Sequence, residues 1–205
     1  MYLPASFAEH DRERLFALIE QESFATLVSE VDGRPFATHL PLLLKRASGA
    51  CGRLVGHVAK ANPQAAAAEG QEVLVMFQGP HAYVSPRWYA DENVVPTWNY
   101  VAVHAYGRLH LIDDPAETIQ VLADYVARYE RGGEGGWRFD PATDYAQRMA
   151  AAVTAFRIDL TRLEGKWKLN QNHSAERRER VIAALEAQPD ENSQAIARLM
   201  RQTDD

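Results

Sequence analysis

The stretch from Phe24 to Leu44, FATLVSEVDGRPFATHLPLLL, carries an Asp32-Gly33 pair between two runs rich in Phe, Val, Thr and Leu. Asp-Gly at that place is the strongest short-range hairpin signal, because a two-residue turn matching the strand twist needs positive φ at both central positions. Two strands joined so tightly must pair antiparallel, whereas parallel neighbours need a crossover of a dozen residues or more. Further strands fit the same scheme. GRLVGHVAK (52–60) reads as one, and EVLVMFQG (72–79) as another, continued by PHAYVSP (80–86) after Gly79-Pro80. Another starts in VVPTWNYVAVHAYG (94–107) and runs to Ile112. The last is TAFRIDLTRLEGKWKL (154–169), where Phe156, Ile158 and Leu160 alternate onto one face.

Helices fall between and after these strands. Ser6 and Glu9 form a capping-box pair, predicting a helix over Ala8–Gln21 with Leu15, Leu18 and Ile19 on one face. Asn62-Pro63 opens a short Ala-rich helix, and Asp114-Pro115 with Glu117 opens one reaching Tyr129. RGGEGG (131–136) reads as a loop, and a short helix is expected over Asp144–Ala151. The tail from Ser174 reads as two helices parted at Gln188-Pro189. No strand leads into GxGxxG or GxxxxGK[ST], so dinucleotide and P-loop folds lose their main support. The expectation is an α+β chain built on an antiparallel sheet or barrel.

At 205 residues the chain suits one sizeable core. No apolar run approaches the roughly 20 residues needed to span a bilayer, and MYLPASFAEH lacks the basic-then-apolar pattern of a signal peptide. A lone Cys51 permits neither an intrachain disulfide nor a cysteine metal site. A cytoplasmic location without membrane attachment is expected. The net charge of −6 argues against a surface that binds nucleic acid through phosphates, although local patches remain open.

The histidines give no metal site. His57 and His104 fall within strands and His39 lies just before Pro41; His104 and His110 share a strand face. No HExxH or comparable pair supplies the ligands zinc requires. Ser85 and Cys51 have no nucleophile elbow around them, and Asp91-Glu92 reads as a solvated loop pair. GHVAKANPQ is more informative, since it delivers Lys60 at a strand end and then a helix start at Asn62-Pro63. That arrangement suits an anion, and it equally suits an ordinary capped helix beside a surface lysine. In PTWNY, Pro96 denies a ladder bond and pushes Val95 toward extended backbone. Asn99 can donate and accept, as the polar edge of a flavin ring requires. Trp98 and Tyr100 could bound a flat ring or pack as core aromatics.

Six segments bear on that choice together. YLPASF, ATHLPLLL, GHVAKANPQ, GPHAYVSPRWY, VPTWNYVAVHAYG and KWKLNQN occur in the order found in the PaiB-like family, which the chain resembles from Tyr2 to about Asn172. That family is described as FMN-binding negative transcriptional regulators. The resemblance implies an antiparallel split β-barrel with flanking helices (residues 1–172) and a C-terminal helical extension (173–205) packed on the same domain. It also implies a homodimer with noncovalent FMN at the subunit interface. Carried onto this chain, Thr38, His39 and Leu40 lie beside the flavin, while His57, Lys60 and Asn62 serve its phosphate and ribityl chain. Trp98, Asn99 and Tyr100 line the ring, with Lys168, Gln171 and Asn172 nearby. The family's last motif commonly reads K-[ML]-S-Q-N; Asn170 stands here in place of the serine, which removes any hydroxyl contact at that point.

The resemblance implies a negative transcriptional regulator, and the alternative is a flavin-dependent oxidoreductase acting on a small molecule. A cofactor-free dimeric scaffold is the third class. For direct DNA binding the tail is poorly equipped: from Ser174 onward it holds five arginines against seven acidic residues. A recognition helix around SQAIARLMRQ would offer only Arg198 and Arg201, so dimer packing is the expected role of the tail.

Overall fold

The structure is a computed structural model describing residues 1–130, 137 and 139–202. The 131–136 loop expected from the sequence lies outside the described residues. Among the described residues eight strands form, namely β1 (Ala8–Glu9), β2 (Phe24–Val31), β3 (Arg34–Pro41), β4 (Leu43–Lys45), β5 (Arg53–Ala59), β6 (Glu72–Val84), β7 (Thr97–Ile112) and β8 (Val153–Lys168). The helices are α1 (Arg12–Gln21), α2 (Pro63–Ala68), α3 (Pro115–Tyr129), α4 (Asp144–Ala151), α5 (Ala175–Glu186) and α6 (Glu191–Arg201). Hydrogen bonding orders the strands β3-β2-β6-β7-β8-β5-β4, with β1 on β8, and the path does not close on itself.

The opening hairpin forms as its sequence dictates. Asp32 and Gly33 both take positive φ (52° and 72°), and Val31 pairs with Arg34 across the turn. The second strand of that hairpin does not run on to Leu44. After Pro41, which has no N–H to give, the Leu42 amide donates to Ser23 O at 2.8 Å. The chain then pairs Leu43 with Val55 as the separate strand β4. Gly79 and Pro80 likewise sit inside one continuous strand.

The predicted start of α1 is corrected. Ser6 and Glu9 do not cap it: residues 5–7 form a single 3-10 turn, and Ala8 and Glu9 pair with Lys166 and Gly165. The helix opens at Asp11, whose carboxylate accepts from Glu13 N at 2.9 Å and whose carbonyl accepts from Leu15 N at 3.0 Å. Gly165 permits the approach of the opening segment, because a Cβ there would lie 2.2 Å from Leu15 Cδ2 and 3.1 Å from the Glu9 carbonyl oxygen.

The residues group into two compact units that do not follow chain order. Unit 1 gathers Met1–Leu18, Gln78–His104 and Glu164–Asp205; unit 2 gathers Ile19–Phe77 and Ala105–Leu163. Strands β6, β7 and β8 each contribute to both. The tail thus belongs to unit 1, alongside pieces of the first 172 residues. In unit 2, Leu43, Val55, Ile112, Val121, Tyr125 and Ala155 form a core cluster under α3. Gly107 lets two backbones meet there, since a Cβ on it would stand 2.5 Å from Asp159 O.

In unit 1, Ser174 caps α5 and Asp190 caps α6, accepting from Arg177 N and Ser193 N. The two helices are parted at Gln188-Pro189 as expected. Ile196, Ala197 and Met200 turn the α6 inner face into core. Among the described residues no helix is long and apolar enough to cross a membrane.

Candidate functional site

Unit 2 builds one corner from β3, the end of β5 and the start of α2. Asn62 ties it together: its amide donates to Thr38 Oγ1 at 3.0 Å, and its carbonyl oxygen accepts from Gln64 N at 2.9 Å as the helix cap. Lys60 is exposed, its backbone fixed by a bond from its N–H to Ala152 O at 2.9 Å. Next to Thr38, His39 is exposed, shares a hydrogen bond with Thr26 Oγ1 at 3.0 Å and stacks on Phe24. Leu40, by contrast, is 4% exposed and belongs to the core.

His57 lies on β5 with its ring edge-on to Tyr125, 4.9 Å between centroids. The Tyr125 hydroxyl donates to Pro41 O at 2.5 Å and Val55 O at 3.3 Å, and burial holds its phenol above the usual tyrosine range. Burial also lowers the His57 pKa, keeping the imidazole neutral. Its Nδ1 is buried and without a hydrogen-bond partner among the described residues. A buried ring nitrogen left unpaired in this way costs stability unless a donor or an acceptor meets it.

Unit 1 builds an aromatic wall. Trp98 is 53% exposed, with Tyr83 edge-on at 5.9 Å and His81 tilted at 6.1 Å. The alternation of β7 that turns Trp98 and Tyr100 outward turns Asn99 inward, where it is fully buried. Its amide donates to Met200 Sδ at 3.4 Å, and its Oδ1 has no partner among the described residues. The structure therefore sets Asn99 on the opposite face from its two neighbours.

Lys168 reaches that strand end, donating to Trp98 O at 2.6 Å and to Thr97 Oγ1. Burial and the Lys166 ammonium lower its pKa. Gln171 is occupied with its own turn, accepting from Leu169 N at 2.7 Å and donating to Trp167 O at 2.5 Å, while Asn172 is exposed. Asn170, standing where the motif has serine, takes φ of 63° and donates to Tyr89 Oη at 2.8 Å from a buried position. Asn is one of the few side chains that adopt this backbone readily.

The structure thus brings together Thr38, Lys60 and Asn62 within unit 2, and Trp98, Tyr100 and Lys168 within unit 1. Sequence reasoning missed Lys166, which is 7% exposed and lies 5.3 Å over the Tyr100 ring. The signal was present in KWK, where lysines two apart on a strand share a face. It also missed Tyr2, Tyr83 and His81, which no local pattern joins to Trp98 or Tyr100. Among the described residues no group of three or more His, Cys, Asp or Glu side chains could hold a metal.

Residues 1–162 match the family described as "Putative FMN-binding domain". The chain belongs to this family. It is 34% identical over 204 residues to the Protease synthase and sporulation protein PAI 2 of Bacillus subtilis, covering 98% of this chain and 96% of that one. An uncharacterised protein of Aspergillus fumigatus is 30% identical over 256 residues, with 100% and 98% coverage.

Among solved structures, the flavocytochrome Anf3 of Azotobacter vinelandii aligns with a TM-score of 0.63 at 20% identity, over 78% of this chain and 69% of that one. The FAD and heme binding protein of Mycobacterium smegmatis aligns at 0.64 and 21%, over 86% and 79%. The fold is the α+β split barrel, with the open strand path described above.

FMN is the cofactor of this family. It carries a dianionic phosphate, a hydroxylated chain and a flat ring with a polar edge. The exposed Lys60, the Thr38 hydroxyl, the unpaired His57 Nδ1 and the open Trp98 face are groups of the right chemistry for those parts. When bound, the flavin supplies one- and two-electron redox chemistry that no side chain has.

Proposed function

We propose that this chain is a homodimeric, cytoplasmic FMN-binding regulator of the PaiB-like kind that acts through its flavin and not through its own contact with DNA. In unit 2, Thr38 and His39 lie beside the flavin with Leu40 behind them in the core, and His57, Lys60 and Asn62 serve the phosphate and ribityl chain. Trp98, Tyr100 and Lys168 form the wall for the ring, with Asn99 acting from behind it and Gln171 and Asn172 shaping the turn beside it.

The observation that carries the reading is the use of the tail arginines. Arg177 pairs with Asp91, and Arg180 pairs with Glu176 at 2.8 Å. Arg201 pairs with Glu186 at 2.7 Å and Glu179 at 3.2 Å, while the buried Arg178 donates to Met200 O at 3.0 Å. Among the described residues, Arg198 alone of the five shows no such partner. A DNA-binding surface draws affinity from several cations facing phosphates, and these cations face carboxylates and carbonyls instead. The Ile196–Met200 side of α6 is core, so a recognition helix would have to read bases with what remains.

The test is an absorbance spectrum of purified protein, then FMN and riboflavin titrations, then anisotropy with promoter fragments at two salt concentrations. FMN bound well ahead of riboflavin, with weak and non-selective DNA binding, supports the reading. Nanomolar sequence-selective binding with a steep salt slope overturns the indirect mode. Flavin turnover with NAD(P)H and a small acceptor, with no effect on transcription, would favour the oxidoreductase. Light scattering showing only a 23.0 kDa species at micromolar concentration would remove the dimer.

A further inference from the structure

Two lysines of unit 1 stand without a counter-charge. Lys166 and Lys168 lie two apart on β8, and no carboxylate pairs with either among the described residues. Lys166 is 7% exposed. Its ammonium donates to Tyr2 O at 3.0 Å and lies over the Tyr2 and Tyr100 rings at 5.5 and 5.3 Å. Lys168 donates to Trp98 O and Thr97 Oγ1.

Each ammonium has three N–H donors. Carbonyls, one hydroxyl and ring faces satisfy part of that capacity and none of the net charge. Burying one cation beside another is costly unless an anion joins them. The neighbouring acid, Glu164, is committed to the Met1 ammonium. Trp98 and Tyr83 stand half-exposed on the same wall, and they do not turn away as residues of a finished core would.

We propose that Lys166 and Lys168 form an anion subsite against the Trp98–Tyr100 wall, occupied by a negatively charged group of the bound flavin nucleotide. The inference rests on the FMN reading and adds to it a residue, Lys166, and a chemistry, charge selection. Two groups of the nucleotide share that chemistry. One is the phosphate, in which case the unit 2 corner serves the ribityl chain alone. The other is the reduced ring, which takes up two electrons and one proton and then carries one negative charge.

The experiment compares wild type with a Lys166→Met/Lys168→Met double variant and with the matching Lys→Arg double variant. The first quantity is the ratio of FMN to riboflavin affinity. The second is the midpoint potential of bound riboflavin, reduced with dithionite against a reference dye. Riboflavin lacks the phosphate, so its potential reports the ring alone.

A phosphate in the subsite predicts that the Met variant loses at least tenfold of the FMN-over-riboflavin preference while the potential stands still. A reduced ring there predicts an unchanged preference and a reduced form bound at least tenfold more weakly, a drop of about 30 mV in a two-electron couple. In either case the Arg variant stays near wild type. If neither quantity moves, the subsite is overturned. If wild type binds no flavin, the FMN reading falls and takes the inference with it. Should the double variant lose its strand signal by circular dichroism, Lys168→Met alone, at the more exposed position, is read by the same two quantities.

Discussion

The two groups of candidate site residues are built in different ways. The unit 2 corner is assembled locally: Asn62 caps α2 and reaches across to Thr38, and the Asp32-Gly33 turn sets the register that places Thr38 opposite Leu27. The unit 1 wall is assembled from a distance. Tyr2, Tyr83, Trp98, Tyr100, Lys166 and Lys168 come from four segments, held by ring contacts and by ammonium groups on carbonyls. The first depends on backbone devices that any neighbouring residues can signal. The second depends on the whole chain being in place.

The largest expected effect tests whether that difference reaches global stability. Phe156 is fully buried in unit 2, and Phe156→Ala should cost about 3–5 kcal/mol through lost burial and the cavity left behind. Urea unfolding should show one transition by both tryptophan fluorescence and far-UV circular dichroism, because β6, β7 and β8 run continuously through both units. Two separated transitions would mean that the units are independent in stability as well as in construction.

Next comes the corner's own charge. Lys60→Ala should weaken FMN by roughly 1.5–3 kcal/mol, the usual worth of one charge-assisted contact, and leave riboflavin unchanged. Equal losses for both ligands would detach Lys60 from the phosphate. Asn62→Ala should be smaller in stability, about 1 kcal/mol for a lost helix cap, with FMN weakened as Thr38 is released. A calorimetric scan and an FMN titration of the same sample separate the two.

The pH dependence concerns His57. Burial sets its folded pKa below the ordinary 6.5, so the unfolded chain binds the proton more readily. The stability this neutral ring contributes is complete above about 6.5 and falls away as pH drops through the folded value. His57→Gln should flatten the acid side of a stability–pH curve and leave the neutral side nearly level. A steeper acid limb in the variant would show that His57 gains a proton on folding. The smallest effect is expected at Arg201: Arg201→Ala removes exposed ion pairs with Glu179 and Glu186, and such pairs contribute little in water. A large loss of melting temperature would show that the α5–α6 hairpin depends on charge more than on its Ile196 and Met200 packing.

The contrast also explains what was legible in the sequence. Asp32-Gly33, Asn62-Pro63, Asp114-Pro115 and Ser174 each announce a structure a few residues long, and each formed where expected. Ser6 and Glu9 misled because their spacing satisfies the capping rule while Gly165, far along the chain, admits the segment as a strand. Leu42 to Leu44 looked like the continuation of β3 because both stretches are apolar; only pairing with β5 parts them. PTWNY drew attention to β7 but could not say which way Asn99 faces. That direction is fixed by the phase of alternation along all of β7 and by Met200, 101 residues later. For Lys166 the sequence offered half the signal: KWK puts two lysines on one strand face, but the Tyr2 and Tyr100 rings beside Lys166 come from distant segments.

The pairing of Ala8 with Lys166 sets a timetable for the newborn chain. The hairpin at Asp32-Gly33 has its partner within reach as soon as it leaves the ribosome. The first strand must wait for about 160 more residues, which at ~5–20 residues per second is roughly 8–30 s of synthesis. Throughout that wait, Leu15 lacks the Gly165 neighbour that later lies against it. Contacts so distant along the chain close slowly, so the opening segment stays without its strand partner until synthesis is nearly done.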